Sequence, residues 1–448
     1  MLYRLMGFAF AFALALPVAA EENVSTTIFR NVTIIDGTGI PAQPDMTIVI
    51  VGDTIERVAP SGSIDPKAYP EAAIIDASGQ FALPGLIDSH VHTWPIVGTK
   101  EGPRIFARFL YSGVTSVRDM AGDARVLANQ SRRAKLNLTA SPNIYYSALM
   151  AGSSFFTDPR PAASAQGEVP GEVPWLQAIT PDIDMPLAVA QAKGTFATGV
   201  KIYANLEASE VRRITQEAHR QGMKVWAHST VFPAGPGDVV AAGVDSISHV
   251  CRMVFEISSE RPSVYDHAYS PDYANLSPGD PRIRAIYADM KARGTILDAT
   301  VWLYQLLEER ELQNPERTPK RKNCSLDYVV EQTRVAHQMG VEIAAGTDSY
   351  TPVEDAYPGL FEEIDILVEQ VGMTPLEAIR SATLVGAMTI GIEETHGTLE
   401  EGKQADLVLL SANPLDDIGN LRSIVLTVKD GHIFRRKDFE AGAFDEAE

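Results

Sequence analysis

The chain has 448 residues, 45% hydrophobic and 21% charged, enough for a large core and more than one ordinary domain. A formal net charge of −20 with no cluster of Lys and Arg excludes the basic face of a nucleic-acid binder, and its field would favour basic solutes. Two cysteines, Cys251 and Cys324, exclude a disulfide-built scaffold and leave room for one bridge after export.

Arg4, the apolar run 5–16 and the small residues Pro17-Val18-Ala19-Ala20 read as an export signal, residues 1–20, cleaved before Glu21. The run is shorter than the ~20 residues of a membrane span. No other long apolar run follows, and no cysteine near residue 20 offers a lipid anchor. The expectation is an exported protein, periplasmic or secreted, with no membrane attachment after cleavage. Six N-x-S/T sequons start at Asn23, Asn31, Asn129, Asn137, Asn275 and Asn323. They would accept glycans in a eukaryotic secretory pathway and mean nothing in a bacterial periplasm.

Residues 26–75 are short β-rich runs broken by turns such as Asp36-Gly37-Thr38-Gly39 and Gly52-Asp53, which predicts an antiparallel β unit within residues 21–82. Over residues 83–395 strands alternate with amphipathic helices. The strands fall at a run ending His90-Val91-His92, then at 113–119, 143–150, 199–203, 223–228, 243–249, 294–301 and 341–348. Between them, 104–111 reads as helical. Ser209 can cap a helix that buries Val211, Ile214 and Ala218 and stops at Gly222, and 374–387 reads as a closing helix. Eight strand–helix units predict an α/β fold, the (β/α)8 TIM barrel. Residues 396–448 return to β patterning and are expected to pair with the first unit. Three connections after strands, 151–186, 251–281 and 303–322, are long enough for lids or substrate walls, or are tolerated insertions.

The strand ends carry the chemistry. His90 and His92 stand two apart, so in a strand both rings leave one face. Later strands end on or near Lys201, His228, His249 and Asp348. Five of these six are good ligands for a borderline metal ion. Singly, each is as well explained as a hydrogen-bonded histidine or a cap; jointly, in register with the strands, they point to a metal centre. Lys201 leaves two readings open. It is a barrel-interior lysine paired with a carboxylate, or a neutral amine that takes up carbon dioxide as a carbamate and bridges two ions.

The motifs Leu83-Pro84-Gly85-Leu86-Ile87-Asp88-Ser89-His90-Val91-His92, Gly113-Val114-Thr115-Ser116-Val117-Arg118-Asp119, Val200-Lys201-Ile202-Tyr203, Ala227-His228, Ser248-His249, Gly346-Thr347-Asp348 and Gly402-Lys403-Gln404-Ala405-Asp406-Leu407-Val408 resemble the amidohydrolase superfamily. The branch is that of imidazolonepropionase-like enzymes and dipeptidases of prolidase or Xaa-Arg/Lys type, and the likeness covers essentially the whole mature chain. It implies a distorted (β/α)8 barrel with a composite β-sandwich. It also implies a divalent metal centre, two zinc ions per chain. His90, His92 and Asp348 would hold one ion, His228 and His249 the other, and carboxylated Lys201 would bridge them. A mononuclear imidazolonepropionase lacks that lysine, so Lys201 favours the binuclear, dipeptidase-like form.

The expected reaction is attack of an acidified water on an amide carbonyl, with Asp348 relaying its proton to the leaving amine. Arg118 and Tyr203, at strand ends, are candidates for binding a substrate carboxylate, or are structural, Arg118 pairing with Asp119. His219 reads as solvated and His267 as a surface residue of a long loop. His337, His396 and His432 take no role. No phosphate-cradling Gly loop and no G-x-S-x-G elbow occurs. The alternatives are hydrolysis of cyclic amides, lactones or phosphotriesters, or a barrel retained for binding alone. A small molecule is the expected partner, and assembly as a homo-oligomer is left open.

Overall fold

The structure is a computed structural model, and it describes residues 25–265, 269–313, 324–349 and 351–440. The expected export signal, Asn23, His267 and Asn323 lie outside the described residues.

The first five strands are β1 (Thr26–Ile34), β2 (Gln43–Val51), β3 (Thr54–Pro60), β4 (Ala73–Asp76) and β5 (Phe81–Pro84). The barrel region follows with β6 (Leu86–Val91), β7 (Val114–Asp119), β8 (Asn143–Gly152), the short hairpin β9 (Glu172–Val173) and β10 (Leu176–Ile179), β11 (Gly199–Ile202), β12 (Lys224–His228), β13 (Ser246–Ser248), β14 (Ile296–Asp298) and β15 (Ile343–Ala344). The chain ends with β16 (Leu407–Leu410), β17 (Ile424–Lys429) and β18 (His432–Arg435).

Eight parallel strands, β6, β7, β8 and β11 to β15, pair in chain order. The ring closes through Ser89 N–H to Ala345 O at 2.9 Å and Asp348 N–H to His90 O at 2.8 Å. Every residue of β6 and β7 is buried, as strands covered on both faces must be. The eight expected strands are therefore all present, several of them shorter than expected. Helices cover the ring. The one spanning Ala208–Arg220 buries Val211, Ile214, Thr215 and Ala218, one face of a 3.6-residue repeat. Burying Val211 and Ile214 contributes about 1.5–3 kcal/mol each.

Local chemistry corrects several expectations. Glu207, not Ser209, heads that helix, and the Glu210 carboxylate accepts the Glu207 N–H at 2.9 Å. The expected closing helix is two, Pro375–Ser381 and Leu384–Ile390, because Thr383 between them leaves helical geometry at φ −130° and ψ −90°. The third long connection begins as a helix, Val301–Gln313. His219 is not merely solvated: its Nε2 lies 2.7 Å from Asp245 Oδ2. Cys251 and Cys324 form the bridge the composition allowed.

Both chain ends meet in one mixed sheet of order β18-β17-β16-β5-β1-β2-β3, with β4 beside β1. Its centre is the antiparallel pair β5–β16, from Phe81 opposite Leu410 to Pro84 opposite Leu407. Phe29, Val32, Ile48, Leu407, Leu426 and Val428 form a core separate from that of the barrel. Gly113 lies on the seam between the two, where a Cβ would stand 2.7 Å from Val408 Cγ2.

Candidate metal centre

The C-terminal ends of the barrel strands converge on Asp348. His90 Nε2 lies 3.3 Å and His92 Nε2 3.2 Å from its Oδ1, and His249 Nε2 lies 3.8 Å from its Oδ2. The donor atoms of His90, His249 and Asp348 all fall within 4.8 Å of one another. The His228 ring sits 4.8 Å from that of His249, centroid to centroid. Lys201 lines the same cavity, of about 350 Å³. All six expected ligands are thus brought to one end of the barrel.

The first turn after each strand is built to hold these rings. His249 (φ 71°), Thr300 (φ 53°) and Asp348 (φ 46°) take left-handed backbone that costs a non-glycine residue energy, a common mark of functional sites. Asp348 is fixed through its neighbour. The Asp88 carboxylate accepts the Thr347 N–H at 3.1 Å and the Thr347 hydroxyl at 2.9 Å. Gly346 is needed beside it, since a Cβ there would stand 2.6 Å from Asp298 Oδ1 and 2.9 Å from His90 Cβ.

Each histidine also has a partner on its other nitrogen. His90 Nδ1 meets Asp298 Oδ2 at 2.6 Å, His92 Nδ1 meets Ala121 O at 3.2 Å, and His249 Nδ1 meets Thr300 Oγ1 at 2.9 Å. Donation from His90 Nδ1 to Asp298 leaves its Nε2 lone pair for a metal, the tautomer a ligand needs. At His92, burial is outweighed by the Asp348 carboxylate, which raises the pKa of the ring. His228 Nδ1 lies 2.8 Å from Thr230 Oγ1.

The electrostatics suit a cation. Burial lowers the pKa of His90 and His228, and that of His249 to about 3, so these rings are neutral lone-pair donors. Burial alone would raise the Asp348 carboxyl, but His90, His92 and His249 outweigh it and hold Asp348 far below the usual carboxylate range. Burial lowers the Lys201 ammonium to about 7. Lys201 is 2% exposed, and among the described residues its Nζ has no hydrogen-bond or ion-pair partner. Three neutral buried imidazoles, a fourth beside the ionised Asp348 carboxylate and an unpartnered amine fit a divalent metal centre.

Arg118 corrects the sequence reading. It is not among the residues lining the cavity, and its carboxylate partner is Asp298, not Asp119. It is fully buried inside the barrel, donating to Ser89 O at 2.5 Å, Ser246 Oγ at 2.7 Å and Asp298 Oδ2 at 3.0 Å. Asp119 instead accepts from Thr93 N–H and Oγ1 at 2.5 and 2.8 Å, which pins the turn after His92. Tyr203 does line the cavity, its ring 5.0 Å from that of His228. Two residues escaped the sequence reading. Asp298 ends β14, and an acid at a barrel strand end is a site position, but the sequence does not show where that strand stops. Arg160 lies in the helix Pro159–Ala165 of a long connection, where no register marks it.

Comparison with known proteins agrees with this geometry. Residues 81–434 match the model of the amidohydrolase family. Ochratoxinase of Aspergillus niger is 25% identical over 449 aligned positions, covering 90% of this chain and 85% of that one. Imidazolonepropionase of Streptomyces griseus subsp. griseus is 23% identical over 88% of this chain and 92% of its own. Among solved structures, a Xaa-Pro dipeptidase with bound methionine in the active site has a TM-score of 0.72 at 24% identity, covering 92% of this chain and 100% of that one.

Proposed function

This chain belongs to the amidohydrolase family, and from that premise we propose that it is an exported, metal-dependent hydrolase of amide bonds in dipeptides or N-acyl amino acids. The observation that carries this reading is the convergence of His90, His92 and His249 on Asp348 in a cavity that also holds Lys201. His90, His92 and Asp348 would hold one divalent ion, and His228 and His249 a second. Lys201, carboxylated, would bridge the two. An amine lowered to about 7 is half unprotonated near neutrality, the form that captures carbon dioxide. When bound, the metal supplies a polarising charge for the carbonyl and acidifies a water.

The residues of the chain do the rest. Asp348, ionised and facing the cavity, accepts the proton of the attacking water and returns it to the nitrogen of the leaving amine, which must be protonated to depart. Asp298, Ala121 and Thr300 keep the imidazoles aimed while charge shifts. Trp94, Phe155 and Leu176 form an apolar wall that limits bulk water around the scissile bond.

The test is release of free amino acid from a panel of dipeptides and N-acyl amino acids by zinc-loaded protein. Release by the unsubstituted protein, falling by three orders of magnitude or more in Asp348→Asn, is the expected result. No release from protein shown to contain metal would overturn the amide reading.

A further inference from the structure

The cavity over the centre holds a charged side chain that the reaction above leaves unused. Arg160 sits in the helix Pro159–Ala165, which the connection after β8 lays along the cavity wall. Asp158 grips one edge of its guanidinium, accepting from Nε at 2.9 Å and from Nη2 at 2.9 Å. The same carboxylate accepts the Arg160 backbone N–H at 2.9 Å, so the grip is fixed to the helix start. The other edge turns inward, and Nη1 donates to Tyr203 Oη at 3.3 Å. Phe155, Tyr203 and Tyr265 surround the guanidinium carbon, with ring centroids at 5.8, 5.9 and 5.8 Å.

Of the five guanidinium N–H groups, Asp158 and Tyr203 use three. The two that remain are carried by Nη1 and Nη2, the pair of nitrogens that can fork onto a carboxylate. The guanidinium stands one phenol ring from the ligand set, because Tyr203 packs on His228 at 5.0 Å. The guanidinium carbon lies 5.9 Å from the centre of that ring, on the same cavity wall. In an N-acyl amino acid the free carboxylate and the scissile amide belong to one amino-acid unit, so a cation lining the same cavity as the ligand set is placed to meet it. Trp94, Met120, Leu149, Phe155 and Leu176 give the wall a broad apolar stretch.

We propose that the inward fork of Arg160, with the Tyr203 hydroxyl beside it, binds the α-carboxylate of the substrate, selecting amides of free amino acids that carry an apolar group over their uncharged counterparts. This rests on the amide-hydrolase reading. It also sets the local preference against the acidic field of the whole chain, which would draw basic solutes. Asp158 contributes by holding the fork in place before substrate arrives, so little ordering is left for the binding step.

The test separates binding from turnover. In an Asp348→Asn background, calorimetry measures binding of N-acetyl-L-phenylalanine and of N-acetyl-L-phenylalaninol, which lacks the carboxylate. The acid should bind at least about 10-fold tighter. Arg160→Met should remove about 10- to 100-fold of the acid's affinity and bring the acid-to-alcohol ratio near one, as loss of a charge-assisted pair predicts. Arg160→Lys should restore part of the ratio, and Tyr203→Phe should lower it less than Arg160→Met. An acid-to-alcohol ratio that is the same with and without Arg160, or absence of acid binding, overturns the proposal. Retained discrimination together with no amino acid release by the unsubstituted protein would sink the amide reading and leave the Arg160 site standing.

Discussion

One carboxylate oxygen, Asp298 Oδ2, serves three donors: His90 Nδ1 at 2.6 Å, Ser248 Oγ at 2.9 Å and Arg118 Nη2 at 3.0 Å. It sets the orientation of His90 and supplies the counter-charge of a guanidinium that burial pulls down to about 10. Asp298→Asn keeps the size and removes the charge. Metal affinity should fall about 10- to 100-fold, the usual effect of losing a carboxylate behind a ligating histidine. Competition with a chromophoric chelator measures it, and an unchanged affinity would take Asp298 out of that role. The histidines were legible in the sequence because a strand places i and i+2 on one face, and because each lies at a strand's C-terminal end. Asp298 was not, because the apolar pattern around 294–301 hid where β14 stops. Arg118 misled for a related reason. It sits one residue short of the end of β7, and an all-buried strand gives no alternation to say which face looks into the cavity.

At the scale of elements, the barrel was legible from its alternation of strand and helix, whereas joints and long connections were not. A helix such as Val301–Gln313 starts inside the core, so a residue distant in sequence must satisfy its first N–H groups. Glu363, fully buried, accepts from Val301 N–H at 3.1 Å and Trp302 N–H at 2.6 Å. No local motif announces such a cap. Burial outweighs those two bonds and pushes the Glu363 carboxyl up to about 8. A carboxyl raised from about 4.3 in the unfolded chain binds its proton more tightly when folded. Its contribution is therefore full below the unfolded value and is lost as pH rises through about 8. Glu363→Gln cannot titrate and sets an amide N–H against a helix N–H. It should cost about 1–3 kcal/mol at pH 5, with the gap to the unsubstituted protein narrowing by pH 8.5. Urea midpoints at the two pH values decide it, and a constant gap would mean that the carboxyl keeps one charge state throughout.

Over the whole molecule, the Cys251–Cys324 bridge closes a loop of sequence separation 73 that begins two residues past His249. Chain-entropy reasoning gives such a loop about 4 kcal/mol. Reduction, or the double substitution Cys251→Ser with Cys324→Ser, should lower the melting temperature by several degrees. Calorimetric melts with and without reductant test this, and coincident melts would assign the bridge no share in stability. The sequence offered two cysteines and no geometry to join them; only the packing of the helix Leu326–Gln338 against the segment Val250–Glu256 brings them together. The mixed sheet has a further consequence for synthesis. Phe81 in β5 pairs with Leu410 in β16, and β17 and β18 follow on the outer side. On the ribosome, β1 to β5 emerge first and then wait, with the edge of β5 unpaired, while the entire barrel is translated between them and their partners. The sheet therefore stays open along β5 until β16 has been made, and the barrel is translated beside that unfinished edge.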